Sequence, residues 1–465
     1  MFKFYIIKKS ECEKGENEKC KTCNKLNYCD SCNPGYKLEK GKCILNYSFI
    51  ATYETTSPNQ LVNLFGDFKV VIKEIEIDGV KVDFCKSYIF KSAGKHIVIV
   101  LLDISVIKTL NSMFYHSEAT SIIFSEKFKT EAITDMNKMF KDCSKLTSIN
   151  LSYFNTNNVI DMGYMFCECY SLKSLDLSNF NTSNVQIMNH FFNGTYKLTS
   201  LDISSFNTKN VITMKAMFKE CKSLKIINVT HFDTSKVTEM NDMFSNCYKI
   251  TSLNLSNFNT KNVEYMNRMF KYCSSLISID LSNFNVKKVK DMASFFYNCS
   301  SLISVNLSSF KIRSAKNISY MFKNCTSLAS IDLSSFETEN VIDMSQTFYH
   351  CSLIKTLNLS SFNTKKLELA YSLFEGCKSL TSIDLSSWVN TNIYNMAKIF
   401  KNCPSIKHIN ISSFKWNDLI ENYLSNYPDT LLDFLPKSAE LIMNKDFYLH
   451  LINITNKTDL NITII

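Results

Sequence analysis

A phenylalanine stands at Phe114, Phe140, Phe166, Phe192, Phe218, Phe244, Phe270, Phe296, Phe322, Phe348, Phe374 and Phe400, and every interval is 26 residues. A period held that long outranks other local signals, because it means that one supersecondary unit has been copied and stacked. Each unit has two halves with different spacing. In LTSINLS, Ile149 and Leu151 show the two-residue period of a strand with one buried face, and Leu146 leads into it. In NNVIDMGYMFCEC, Val159, Met162, Met165, Phe166 and Cys169 trace one face of a helix, with Asn158 placed as its N-cap. A unit this small cannot bury its apolar face alone. Side-by-side stacking can, and it predicts an α/β right-handed solenoid with a parallel sheet on one side and short helices on the other. Eleven rungs at about 4.8 Å each would span roughly 50 Å.

A second aromatic column, Phe154, Phe180, Phe206, Phe232, Phe258, Phe284, Phe310, Phe336, Phe362, Trp388 and Phe414, follows each strand. The unit MFxxCxSLxSIDLSxFNTxNVxxM, with this column where the usual leucine-rich repeat carries a buried Asn, resembles the BspA-type leucine-rich-repeat surface proteins. The resemblance covers about residues 112 to 416. It implies a surface-exposed interaction or adhesion role without enzymatic activity.

Three residues after the phenylalanine comes a thiol column: Cys143, Cys169, Cys221, Cys247, Cys273, Cys299, Cys325, Cys351, Cys377 and Cys403. Thr195 replaces it once, and Ser117 in the first, irregular unit. Zinc needs four ligands converging on one point, whereas stacked positions run in a row. A disulfide needs Cβ atoms about 3.8 Å apart, against about 4.8 Å between rungs. Loss of single members without a paired loss suits neither. The column reads as small buried residues that stay reduced.

The outward strand positions are uniform. Asn150, Asp176, Asp202, Asn228, Asn254, Asp280, Asn306, Asp332, Asn358, Asp384 and Asn410 lie between the two buried strand residues, flanked mostly by Ser. The concave-face binding candidates are Asp176, Asp202, Asp280, Asp332, Asp384 and His408. The competing reading is a polar ladder that keeps the sheet wet, since a groove that reads a partner varies from rung to rung. Six of these Asn also begin N-x-S/T sequons, which matter only on the secretory route.

Residues 1–43 differ in kind: Cys12, Cys20, Cys23, Cys29, Cys32 and Cys43 lie among few apolar residues. They read as a three-disulfide framework of open connectivity. The rival is zinc held by the two CxxC pairs, whose separation is shorter than the common ribbon spacing. CNPGYKLEKGKC resembles EGF-like and furin-like cysteine-rich modules, which implies an oxidising, extracellular setting. Residues 44–111 are strand-like, with Asp78 and Gly79 as a hairpin turn, and read as a β cap over the exposed end of the stack. Residues 417–465 read as the other cap; LIMNKDFYLHLINI there suits a strand or a helix equally.

The net charge of +9 is spread over 465 residues with no run of five or more like charges, which reads as a solvated surface and not a nucleic-acid patch. No apolar run reaches the length of a membrane span, and no complete signal peptide is visible. Nine Gly leave little room for a phosphate loop, and no His sits in a nucleophile-activating motif. The chain reads as a monomeric, cofactor-free, non-enzymatic protein at the cell surface or outside the cell, with a protein or glycan partner. The alternative is an intracellular interaction scaffold of the same fold, its N-terminal cysteines reduced or zinc-bound.

Overall fold

The fold is given by a computed structural model. It describes residues 20–23, 29–32, 36–39, 42–45, 47–67, 71–103, 107–416, 421, 435–436, 438–455 and 461–465, with backbone alone at 20–23, 29–32, 36–39, 42–45, 71 and 453–455. The chain divides into two compact units: Met1–Val159 with Glu168–Asn181, and Ile160–Cys167 with Thr182–Ile465.

In the first unit, the expected strands join in one six-stranded sheet, ordered Ser148–Asn150, Ser121–Phe124, Phe49–Thr55, Gly94–Asp103, Val71–Ile77 and Val80–Val82. Asp78 and Gly79 close the last hairpin with φ of 51° and 85°. That double left-handed turn matches the twist of the strands it joins. Phe49–Thr55 alternates buried and open positions, and Phe49, Ala51 and Tyr53 are fully buried. Ser121–Phe124 pairs antiparallel with Phe49–Thr55 on one edge and parallel with Ser148–Asn150 on the other. A repeat strand thus meets an ordinary β-sheet with its backbone groups paired. Near the N-terminus, Cys20–Cys23 pairs antiparallel with Cys29–Cys32, setting Cys20 opposite Cys32 and Cys23 opposite Cys29 along the backbone. Cys12, and the side chains of Cys20, Cys23, Cys29, Cys32 and Cys43, lie outside the described residues, and with them the disulfide framework and its zinc rival.

The repeats depart from the sequence expectation in two ways. The segments read as helices are not helices. They are paired turns, each with two residues in the left-handed region, such as Tyr320 (φ 61°) and Asn324 (φ 60°). Every second N–H in them bonds the next repeat: Ile318 to Asp343 at 3.0 Å, Tyr320 to Ser345 at 2.9 Å, Phe322 to Thr347 at 2.9 Å and Asn324 to Tyr349 at 2.8 Å. The amides between turn back three residues, as Met321 does to Ile318. A helix would spend these amides inside its own unit. Bonding outward makes the turns themselves the main ladder between successive repeats, and it offsets the roughly 1–2 kcal/mol cost of each left-handed non-glycine residue. In the first unit the same pattern joins Leu110, Ser112, Phe114 and His116 to Asp135, Asn137, Met139 and Lys141.

Correspondingly, the strand half is thinner than expected. Besides Ser121–Phe124 and Ser148–Asn150, the described repeats carry strands only at Ser278–Asp280, Ser304–Asn306, Ser382–Asp384 and His408–Asn410. Nor is Asn158 an N-cap: its Nδ2 donates to the Glu131 carbonyl of the preceding repeat at 2.7 Å. Asn210, Asn262, Asn340 and Asn392 make the equivalent bond in the second unit.

The apolar spacing still selects the right inward residues. Val, Met, Phe and Leu of each repeat are buried, and phenylalanines stack rung on rung, as Phe244 on Phe270 (5.9 Å, 2°) and Phe258 on Phe284 (6.4 Å, 2°). Burial of an aromatic side chain is worth about 1.5–3 kcal/mol. At the C-terminal end of the second unit, Glu440–Met443 adds in parallel to His408–Asn410, helix Lys445–Thr455 follows, and Asn461–Ile464 pairs in parallel beyond. The segment LIMNKDFYLHLINI is thus both strand and helix. Asn444 is a true N-cap, its Oδ1 accepting the Phe447 N–H at 2.9 Å.

Candidate interaction surface

Each described repeat presents the same corners, and the polar columns explain them. The candidates Asp176, Asp202, Asp280, Asp332 and Asp384 are exposed, and each turns its Oδ1 back to the N–H two residues on, at 2.8 to 3.0 Å. Asn150, Asn228, Asn254, Asn306, Asn358 and Asn410 do the same with their amide oxygens. This Asx turn needs one acceptor and no charge, so Asp and Asn interchange freely. The Ser204, Ser282 and Ser334 N–H groups hold the carboxyls of Asp202, Asp280 and Asp332 below the usual range. The bonds lie within a rung, not between rungs. Further Asx corners in some repeats follow the same rule, for example Asn259 to Lys261 and Asp291 to Ala293. His408 is exposed, and its Nδ1 lies 2.9 Å from Glu440 Oε2, a tie to the strand that follows the array.

The thiol column is buried and, among the described residues, unpaired by disulfides. In the first unit, Cys143 and Cys169 donate S–H to the Phe114 and Phe140 carbonyls at 3.0 and 3.1 Å. In the second, Cys247, Cys299, Cys351, Cys377 and Cys403 do likewise at 3.0 to 3.1 Å, always to the phenylalanine of the preceding repeat. Cys221, Cys273 and Cys325 complete the set, at 3.2 to 3.4 Å. Burial raises these thiols, Cys221, Cys273 and Cys403 to about 12. The column is therefore a set of small donors as well as small wedges. Hydroxyls at these positions also donate, to other acceptors: Thr195 bonds the carbonyl of Phe192 in its own repeat at 2.9 Å and Ser117 the Leu64 carbonyl at 2.7 Å.

Sequence reasoning missed two columns. The first is buried threonine. Thr234 is fully buried; its hydroxyl donates to the Asn259 carbonyl at 3.1 Å and accepts the Asn259 N–H at 2.8 Å. Thr156, Thr182, Thr208, Thr260, Thr338 and Thr364 donate in the same way. Asn390 replaces the pair with an amide, donating to the Lys415 carbonyl at 2.8 Å and accepting its N–H at 2.9 Å. The signal was present in FNT, since a β-branched residue with a hydroxyl recurs where an apolar one would suffice. The second missed column follows the buried phenylalanine and reads Lys271, Tyr297, Lys323, Tyr349 on consecutive repeats. These side chains are partly exposed and packed on each other.

A cavity of about 710 Å³ opens in the second unit, lined by His350, Lys378, Asn402, Cys403 and Pro436 among others. Cys403 is held as the thiol there and donates to Phe374, so it offers that cavity no thiolate. Among the described residues no three His, Cys, Asp or Glu side chains gather as metal ligands would, and no helix is long and apolar enough to cross a membrane.

Residues 108–227, 214–331 and 316–424 each match the family described as "Mycoplasma protein of unknown function, DUF285". The chain belongs to the DUF285 family. The three matches tile the repeat array of this DUF285 protein. No curated protein sequence matches it. Among solved structures, it is similar to a leucine rich cell surface protein from Faecalibacterium prausnitzii A2-165, at 16% identity over 74% of this chain and 79% of that one, with a TM-score of 0.31. It is similar to the pneumococcal vaccine antigen PcpA at 16% identity over the same shares, with a TM-score of 0.37. A third is the functional domain of InlJ from Listeria monocytogenes, which includes a cysteine ladder: 14% identity, 76% of this chain, 77% of that one, TM-score 0.27.

Proposed function

We propose that this DUF285 protein is a cell-surface or secreted recognition protein that binds protein or glycan partners through its repeat array. The observation that carries the reading is the division of labour within each repeat. Buried Val, Met, Phe, Cys and Thr positions, together with the ladder of turn amides, hold the backbone. Exposed positions between them vary without disturbing it, as Lys271, Tyr297, Lys323 and Tyr349 do on four successive rungs. A scaffold whose outward side chains are free to change suits recognition. The thiols stay protonated and donate to carbonyls, which supports a binding role over a catalytic one.

Binding of the purified full chain to host-cell surfaces and to a glycan array tests the reading, with the oxidation state of Cys12, Cys20, Cys23, Cys29, Cys32 and Cys43 measured by mass spectrometry of the native protein. Saturable binding with those thiols oxidised is expected. Fully reduced thiols, or stoichiometric zinc on them, would overturn the surface assignment and support an intracellular scaffold.

A further inference from the structure

The Lys–Tyr column is built unlike the other exposed columns. Lys271 Nζ lies 5.2 Å from the Tyr297 ring centroid and 5.5 Å from that of Tyr272. Lys323 Nζ lies 5.6 Å from the Tyr297 centroid, 5.3 Å from that of Tyr320 and 4.4 Å from that of Tyr349. Tyr297 is thus flanked by two ammonium groups; the column itself goes on to Glu375 and Lys401, and beside it Lys398 lies over Tyr371 at 5.8 Å. The rings meet edge to face, Tyr272 on Tyr297 at 5.2 Å and Tyr297 on Tyr320 at 6.4 Å.

These ammonium groups are partly desolvated, Lys323 also donates to Gln346 Oε1, and the carboxylates within reach are already engaged. Asp242, whose charge acts on Lys271, is paired with Arg268 at 3.1 Å and Lys219 at 3.5 Å. Glu375, whose charge acts on Lys323, accepts from Ser372 at 2.6 Å and pairs with Lys401 at 3.8 Å. Burial accordingly pushes Lys271 and Lys323 below the usual lysine range. Cation–π contacts offset part of this cost. An incoming anion would offset the rest.

We propose that the column Lys271, Tyr297, Lys323 and Tyr349, with Lys398, binds the sulfate groups of a sulfated glycan. The proposal rests on reading the array as a recognition scaffold, and adds the ligand class and the column that takes it. One feature favours a glycan over single-stranded nucleic acid. The tyrosine faces are already covered by ammonium groups, so they are closed to the base stacking that such proteins use.

The test is binding of the full chain to dextran sulfate, with unsulfated dextran of equal length as the reference. Wild type should bind only the sulfated polymer. The triple variant Lys271→Gln, Lys323→Gln, Lys398→Gln should lose about tenfold or more in affinity, and Lys323→Gln alone about threefold. The control, Lys209→Gln, Lys261→Gln, Lys287→Gln, removes the same charge from exposed sites elsewhere on the array and should stay within about threefold of wild type. Circular dichroism at matched concentration confirms that each variant is folded, and the single variant serves if the triple one is not. Equal losses in both triple variants would reduce the effect to net charge and overturn the proposal. So would tighter binding of a single-stranded oligonucleotide of matched charge that is lost with the same column. Absence of dextran sulfate binding in a chain that still binds host cells would overturn the proposal and leave the recognition reading standing.

Discussion

Replacing Thr234 by valine isolates what the threonine column does. The two side chains have nearly the same shape, so no cavity opens, but the hydroxyl that bridges Asn259 disappears. Two hydrogen bonds are lost, one of 2.8 Å from the Asn259 N–H and one of 3.1 Å to its carbonyl. At a net value of about 0.5–1.5 kcal/mol each, the change should cost about 1–3 kcal/mol. The chain carries its own reference for the lower end. Val286 occupies the same column, and the N–H it leaves without a hydroxyl, that of Lys311, turns to the Ser309 carbonyl at 2.8 Å. Local relief of that kind at Asn259 would hold the cost near 1 kcal/mol. Thr234→Asn should cost less than Thr234→Val, because Asn390 shows that an amide can make both bonds. Hydrogen exchange is the right assay, since a stacked array opens locally and a single global midpoint averages over it. The Asn259 amide should exchange about tenfold to a hundredfold faster in Thr234→Val, equivalent to about 1.4–2.8 kcal/mol. Unchanged exchange, or an asparagine variant as labile as the valine one, would refute the bridging role.

Alkali should destabilise the fold through the thiol column. Cys221, Cys273 and Cys403 are raised to about 12 from 9.0, so between those values the unfolded state has released protons that the folded state keeps. Stability is full below pH 9 and should fall above it by up to about 1.4 kcal/mol per pH unit per thiol. Urea midpoints across this range check it, and Cys221→Thr with Cys273→Thr should flatten the slope; an unchanged slope would exclude the thiols as its source. Gly376 has a φ of 77°, and a Cβ there would strike the His350 ring. Gly376→Ala should therefore cost about 1–3 kcal/mol by thermal denaturation, and a neutral result would show that the ring has room to move. Asp280→Asn should leave the thermal midpoint unchanged while Asp280→Ala lowers it, because the Ser282 N–H needs an acceptor and not a charge; a larger effect from the asparagine variant would assign the column to charge recognition instead.

Much of this was legible in the chain. The 26-residue period, the inward Val, Met and Phe positions, the hairpin at Asp78 and Gly79 and the strand-like stretch before the repeats all follow from spacing and residue type. The period names the residues that face inward because burial depends on direction alone. It does not name the partner of each amide. Val159, Met162, Met165 and Phe166 are spaced for a helix face, yet the amides of Met162, Tyr164 and Phe166 cross to the next repeat, a bond between residues 25 positions apart that no local window contains. The same distance in sequence hid the threonine bridges. It also hid Asn158, whose side chain reaches back 27 positions to Glu131 when its local context reads as a cap.

What the sequence determined by itself is a stack of equal units with defined inner and outer columns, because repetition forces equivalent residues into register. Tertiary structure decided how the units hold one another and what the outer columns become. Lys271, Tyr297 and Lys323 are separated by a full repeat each and have no local relation in the chain. Only stacking brings their side chains together and sets the Lys271 and Lys323 ammonium groups against the Tyr297 ring.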